Sequence, residues 1–577
     1  MRRLAAILSV TFAACGGDGG GDGGDDDAGP IDAPVAPPTC DDAATGTGPD
    51  ATEPGEPTLP SPTLRHLTIL WPITGDADLD ATVTVRFRTA DGGAWRDGMP
   101  LFRVPAGGTQ GFTWDDRFAG SLFDLEPATA YEVELALSDP DGGCEVRTLT
   151  ASTRPVPGPP ANATTIAVDT GNFTTAIAAA NPGDILSLAP GTYPTFTFLR
   201  DGTPAAPITI RAAQAGVIID GDVRLDGRSH VHVQRLTING KLKFNGGRGL
   251  AIMGNTITTT EDGITTKTRA EDCYIADNVV TGATVWNEAA LGASGANIGE
   301  GIEVTGPGHV IEHNRVRGFR DCVSLIEDAG AVDQYAIDIV GNELAECADD
   351  GVEADFCFHD CRIVGNRLTD VFMGISSQPG LGGPSWFVKN AMYSVVLSAF
   401  KLQRSSVGDV ALHNTIVKNG DGLGIYTTDV FSRQWFRNNV FIGGPGGTYN
   451  TYDNGTGAVL ELRSAGEGVS LDFDGYGSTT GQFRGRLGAT AFTSLAELQT
   501  TTTEVHAVEV GLSMFAASIP YPMPLTTHAA ADLRPAGGGA AVDRGVALPN
   551  INDDFTGPAP DLGAYEAGAP LPAYGPR

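Results

Sequence analysis

Carboxylates, hydroxyls and a lysine recur at one position of a short phrase in the middle of the chain. Aligned, the phrase reads Asp262-Gly263-Ile264-Thr265, Glu300-Gly301-Ile302-Glu303, Asp321-Cys322-Val323-Ser324 and Asp350-Gly351-Val352-Glu353. It continues as Met373-Gly374-Ile375-Ser376, Ser398-Ala399-Phe400-Lys401 and Leu423-Gly424-Ile425-Tyr426. The third position is always apolar. In a strand it faces the core and the fourth faces away. If successive phrases are neighbouring strands about 4.8 Å apart, one face carries Thr265, Glu303, Ser324, Glu353, Ser376, Lys401 and Tyr426 in a column.

The first position adds Glu300, Asp321 and Asp350 in consecutive repeats, thickened by Asp349 and Asp355. Carboxylates stacked about 5 Å apart repel. They need a cation, a raised pKa or divergent directions. Glu300, Asp321, Asp349, Asp350 and Asp355 are all oxygen donors, the set that suits Ca²⁺. The competing reading is that these residues cap turns by accepting backbone N–H groups, as Asp before Gly often does.

Two reactions fit this face. Lys401 and Arg404, one to two repeats beyond the acidic group, can neutralise a carboxylate and take the adjacent proton, which is the work of a β-elimination. Glu303 and Glu353, two repeats and about 9.6 Å apart, sit near the upper limit for an inverting acid/base pair. Ser376, Gln378, Trp386 and Tyr426 offer hydrogen bonds and aromatic surface to a sugar. The Gly/Pro run around Gln378 reads equally as a broad turn.

The element that would position these groups is a solenoid turn. Asparagine, one residue, then an apolar residue recurs at Asn255, Asn278, Asn314, Asn342, Asn366, Asn390, Asn414 and Asn439, the last slipped by one. The spacings are 23, 36, 28, 24, 24, 24 and 25 residues. A repeat of this length with short strands means a solenoid whose stacked turns carry an asparagine ladder. The 36-residue step places a loop near Val285 to Ala296 over one face. Residues 63–155 alternate differently: Val83, Val85 and Phe87, then Tyr131, Val133, Leu135 and Leu137, with turns at Asp91-Gly92 and Asp141-Gly142. They read as a small β-sandwich. The fold class is therefore all-β, a right-handed parallel β-helix over 162–450 preceded by a sandwich, with last rungs and a C-terminal cap over 451–577.

Several segments resemble known families. The run from Gly202 to Arg211 is similar to the opening rungs of chondroitinase-B-like and alginate lyases. Asp321-Cys322-Val323-Ser324-Leu325 resembles an aspartate motif of polygalacturonases, whose Gly-His-Gly and Arg-Ile-Lys motifs this chain lacks. Asp554 to Gly557 and Pro560 to Glu566 resemble the closing segment of bacterial β-helix proteins of the pectate-lyase-like superfamily, and are expected to form a cap. Leu125 to Tyr131 resembles the corner before the penultimate strand of fibronectin type III domains, where a tyrosine anchors the turn. These resemblances imply a protein that acts on polysaccharide.

Residues 1–15 read as an export signal ending in Phe12-Ala13-Ala14-Cys15, which resembles a lipobox. Cys15 is then the lipidated residue, the alternative being an ordinary secretory signal with Cys15 incidental, and 16–62, rich in Gly/Asp and then Pro/Ala, is a tether. The expected location is the bacterial cell envelope, at the outer membrane. Of the seven other cysteines at least one must stay unpaired. Cys357 and Cys361 lack a second ligand pair at zinc spacing, so a disulfide or buried thiols are expected. A net charge of −33 excludes nucleic acid as partner. The expectation is an anchored monomer that binds acidic polysaccharide and cleaves it by Ca²⁺-dependent β-elimination. The alternatives are a non-enzymatic adhesin or glycan-binding scaffold, and an inverting glycoside hydrolase.

Overall fold

The structure, a computed structural model, describes residues 40, 48–160 and 162–577. The export signal, Cys15 and most of the tether lie outside the described residues. Among the described residues no helix is long and apolar enough to cross a membrane.

The N-terminal unit is a sandwich of two four-stranded antiparallel sheets. Alternation puts Val83, Val85, Phe87, Tyr131, Val133, Leu135 and Leu137 into one core around Trp71. The Tyr131 hydroxyl accepts the Glu126 N–H at 2.9 Å and pins the corner. The sandwich begins earlier than the expected boundary at 63. Glu53–Pro54 pairs with the strand Leu67–Thr74, Trp71 Nε1 donates to Gly55 O at 2.9 Å, and Cys40 is bridged to Cys144. The last part of the expected tether is thus built into the fold.

The second unit is a parallel β-helix with a 13-stranded sheet and an 18-stranded sheet holding two strand columns. Ile, Val, Leu and Phe from every turn fill a single core. The asparagine ladder stacks the turns. Asn342 donates its backbone N–H and its Nδ2 to Asn366 Oδ1, each at 2.9 Å, and Nδ2 also reaches Ile311 O at 2.9 Å. The pattern repeats from Asn255 to Asn439, whose own N–H and Nδ2 end on Asp474 Oδ1. Asn439 is not slipped: Thr415 pairs with Val440 and Ile416 with Phe441. Each asparagine satisfies buried main-chain groups that a turn would otherwise orphan.

The ends are closed by helix α1 (Phe173–Ala179) and helix α2 (Leu495–Thr501), which bury Phe173, Ile177 and Leu498 in the core. The closing segment expected as a cap does something else. It runs back along the outside of the helix as a strap. Gly563 N donates to Asn438 O, Gly575 N to Gly341 O, and the Arg577 guanidinium reaches Asp277 and Glu312. Met514, Phe515, Leu533, Leu562 and Tyr565 bury its apolar side.

The sandwich packs on the 13-stranded sheet through a buried polar centre. Arg362 Nε donates to Asp338 Oδ1 at 2.6 Å, His66 Nδ1 lies 2.8 Å from Asp338 Oδ2, and Arg362 also reaches Thr68 and Ser121 of the sandwich. Burial works to raise the Asp338 pKa, but Arg362 and His66 hold it well below the usual carboxylate range.

Candidate functional site

The outward column is built on strands Glu300–Val304, Asp321–Leu325, Glu343–Glu353, Arg367–Ser377 and Phe400–Leu402. Thr265 pairs with Glu303, Glu303 with Ser324, Ser324 with Glu353, Glu353 with Ser376, and Ser376 with Lys401. Six of the seven expected residues therefore stand in register. Ile264, Ile302, Val323, Val352, Ile375 and Phe400 face the core beside them. Tyr426 follows on the next turn, outside the 18-stranded sheet. Its hydroxyl donates to Asn454 O at 2.6 Å and lies 3.0 Å from Asp421 Oδ2.

The face is crowded rather than open: Glu303 and Lys401 are 7% and 8% exposed. The loop expected near Val285 lies along its entry side, where Gly292 N donates to Ala348 O and Leu291 packs on Phe372 and Leu397. On the exit side the sandwich hairpin Gly107 to Trp114 leans in, with Thr109 Oγ1 donating to Arg404 O.

Asp321, Asp349 and Asp350 place carboxylate oxygens within 4.8 Å of one another, and Glu327, Glu353 and Asp355 do the same one step along the turn. The turn-cap reading has a direct contact here, and the clustered oxygens are a set that could hold a metal. Asp321 Oδ1 accepts the Asp350 N–H at 2.6 Å, a turn cap. Asp321 Oδ2, Asp350 Oδ1, Asp355 Oδ2, Glu300 Oε2 and the Ser324 hydroxyl have no hydrogen-bond partner among the described residues. Burial raises Glu300 and Asp355 to about 7 and Asp349 to about 6. Burial and neighbouring carboxylates push Asp321 and Glu353 well above their ordinary range. A buried carboxylate group with spare oxygens fits a cation, since unpaired buried charge is costly.

Lys401 Nζ donates to Asp350 Oδ2 at 2.7 Å. Burial opposes its charge, but Asp350, Asp355, Asp349 and Glu353 together raise its pKa well above the ordinary lysine value, so it stands as an ammonium. Arg404 does not touch Lys401. Its guanidinium reaches Asp328 at 2.5 Å and Gln110 at 3.1 Å and lies over the Phe356 ring. Glu303 is paired with Lys267, and burial raises its pKa. Ser376 Oγ donates to Asp355 Oδ1 at 2.6 Å, and the Gln378 main-chain N–H donates to the same oxygen at 2.8 Å.

Trp386 is a correction. It is fully buried on the other sheet, against Phe102 and Phe123 of the sandwich, with Nε1 donating to Asp360 Oδ1 at 3.0 Å. No sugar can stack on it. The sequence reading also missed Glu327, Lys267 and Arg320. Arg320 Nε sits 3.4 Å from Asp321 and 3.5 Å from Asp349. All three lie just outside the aligned phrase, two or three residues after its fourth position or immediately before its first. Extending the phrase at both ends would have found them. Cys322 is bridged to Cys347 and Cys357 to Cys361, and Cys273 is a buried free thiol.

No family model matches the chain, and no curated protein matches it. Among solved structures, the PL6 family alginate lyase AlyGC is similar at 12% identity over 63% of this chain and 60% of that one, with a TM-score of 0.36. A point mutant of the same lyase is similar at 13% identity over 70% of this chain and 60% of that one, TM-score 0.35. The family 28 exopolygalacturonase of Yersinia enterocolitica is similar at 12% identity over 74% of this chain and 91% of that one, TM-score 0.24. The chain spans less than two thirds of the length of the lyase it matches. At these identities the likeness concerns the fold, and the fold is a parallel β-helix carrying an N-terminal antiparallel sandwich.

Proposed function

We propose that the column from Glu303 to Lys401 is a Ca²⁺-dependent site for acidic polysaccharide, and that it cleaves uronate chains by β-elimination. One observation carries this reading. Asp321, Asp349 and Asp350 gather buried oxygens within 4.8 Å, and Asp321 Oδ2 and Asp350 Oδ1 have no hydrogen-bond partner among the described residues, beside a lysine ammonium. Asp321, Asp349 and Asp350, with Glu300 and the buried Asp355 of the neighbouring group, would hold the cation. Bound there, it would supply positive charge to a sugar carboxylate and make the adjacent C–H more acidic.

The chain's own groups do the rest. The Lys401 ammonium neutralises carboxylate charge, and Arg404 on the exit side offers a second positive group. Glu353, between Glu303 and Lys401, would in its ionised form take the proton beside the sugar carboxylate. The bond from the β-carbon to the leaving oxygen breaks as the double bond forms, and that oxygen takes a proton from the Lys401 ammonium, with the Ser324 hydroxyl alongside. Crowding by the loop and the hairpin limits water. The expected lipid anchor at Cys15 would hold the protein at the outer membrane as a monomer.

A second reading, an inverting hydrolase using Glu303 and Glu353, draws on the raised pKa of both. A screen on pectate, alginate and chondroitin, with Ca²⁺ and with chelator, separates the readings. Elimination produces an unsaturated uronate seen in the ultraviolet. Hydrolysis produces reducing ends without that absorbance. Binding with neither product leaves a glycan-binding scaffold.

A further inference from the structure

A cavity lies further along the same face. It has a volume of about 790 Å³ and is lined by Tyr426, Thr456, Asp453, Glu461, Arg463 and Arg484, among others. That size falls within the range of small-ligand sites. Its position follows from the strand register. Tyr393 pairs with Val417, which sets the turn carrying Tyr426 next to the turn carrying Lys401. Leu423 then pairs with Leu460 and Gly424 with Glu461, so Arg463 stands next to Tyr426. The outward column thus continues from Lys401 to Tyr426 to Arg463, two rungs or about 10 Å along the axis.

The chemistry of the lining changes along the way. Asp421, in the cavity lining, is already spent: its carboxylate accepts Thr456 N and Ala458 N and lies 3.0 Å from the Tyr426 hydroxyl. Arg463 is 76% exposed and is paired with Glu461. Arg484 donates to the Thr456 hydroxyl and carbonyl at 2.8 Å. Two guanidinium groups and a tyrosine ring, with the carboxylates of Asp453 and Glu461, form a lining that takes both a carboxylate and ring hydroxyls.

We propose that this cavity is a second subsite of the face, reading the carboxylate of a uronate several units away from the one held at Asp350 and Lys401. The ligand is then a run of consecutive uronates, not a single terminal sugar. The inference rests on the reading of the Glu303 to Lys401 face given above.

The test compares the full chain with Arg463→Ala and Arg484→Ala, singly and together. In Ca²⁺, dissociation constants for galacturonate and alginate dimers and hexamers are measured by calorimetry, or KM where the chain is cut. Arg463 is exposed and Arg484 half-buried, so melting temperatures should differ little. The expected result is hexamer binding weakened roughly tenfold or more in the double variant, with dimer binding unchanged. Equal hexamer affinity in variant and parent would overturn the subsite alone. No uronate binding by the parent chain at any length would overturn the face reading and the subsite with it.

Discussion

Lys401 Nζ sits 2.7 Å from Asp350 Oδ2, while the other oxygen of the same carboxylate has no hydrogen-bond partner among the described residues and the Asp350 N–H is held by Asp321. One ammonium therefore balances a carboxylate group that exceeds it in charge. Arg320 contributes from the edge, 3.4 Å from Asp321. The arrangement is stable only so far as protons or a cation make up the difference. That shortfall is what joins the fold to the proposed chemistry.

Removing the ammonium should expose the shortfall. Lys401→Met is expected to lower unfolding free energy by about 3–5 kcal/mol in chelator, with Ca²⁺ restoring a larger share than it adds to the parent chain. Urea unfolding of both proteins, with and without Ca²⁺, measures this. An equal effect of Ca²⁺ on the two would separate Lys401 from the cation site.

Asp321→Asn distinguishes a turn cap from a cation ligand. Asparagine keeps an oxygen to accept the Asp350 N–H but removes the charge. Stability in chelator is expected to hold or rise, while Ca²⁺ affinity falls roughly tenfold or more. Calorimetric titration with Ca²⁺ alone gives the affinity.

The ladder can be tested in its middle. Asn366 Oδ1 accepts two N–H groups from Asn342, and its Nδ2 donates to Ile339 O and Asn390 Oδ1. Asn366→Ala orphans several of these buried groups and should cost about 3 kcal/mol or more, at about 1–3 kcal/mol per group. Denaturant midpoints at unchanged slope check it.

The end of the ladder predicts a pH dependence. Burial raises Asp474 to about 7 and, with Asp474 beside it, pushes Glu504 well above its ordinary range. The Tyr476 hydroxyl donates to Glu504, and Asp472 and Arg437 lie nearby. The folded chain keeps protons here that the unfolded chain releases above about pH 4. Stability from this pair is therefore present at low pH and is lost as pH rises towards about 7. Asp474→Asn continues the ladder chemistry with an amide. It should remove this part of the slope and stabilise the protein on the order of 1–3 kcal/mol above neutrality, read from urea unfolding across the pH range.

Much of the site was legible because a solenoid repeats its errors as well as its rules. Each pairing shifts the chain by one turn, so one apolar position aligned over several turns places the next residue outward in all of them. That is why Glu303, Ser324, Glu353, Ser376 and Lys401 stand in line as expected. The asparagines were legible for the same reason. What covers the outside of the helix is not periodic and was not. Trp386 points outward as its strand dictates, but the sandwich seals it. The closing segment had the composition of a cap, yet its apolar residues match the flank of the helix and not its end. Gln110 reaches Arg404 across 294 residues of chain, a contact no local pattern encodes.

The account stands most directly on one assay: unsaturated product formed from polyuronates by the full chain, with Ca²⁺ and with chelator, beside Lys401→Ala and Asp321→Asn. The prediction is a Ca²⁺-dependent rise in ultraviolet absorbance on at least one uronate polymer, abolished in Lys401→Ala and strongly reduced in Asp321→Asn. Absence of that product on every polymer, or a rise untouched by chelator and by both substitutions, would contradict it.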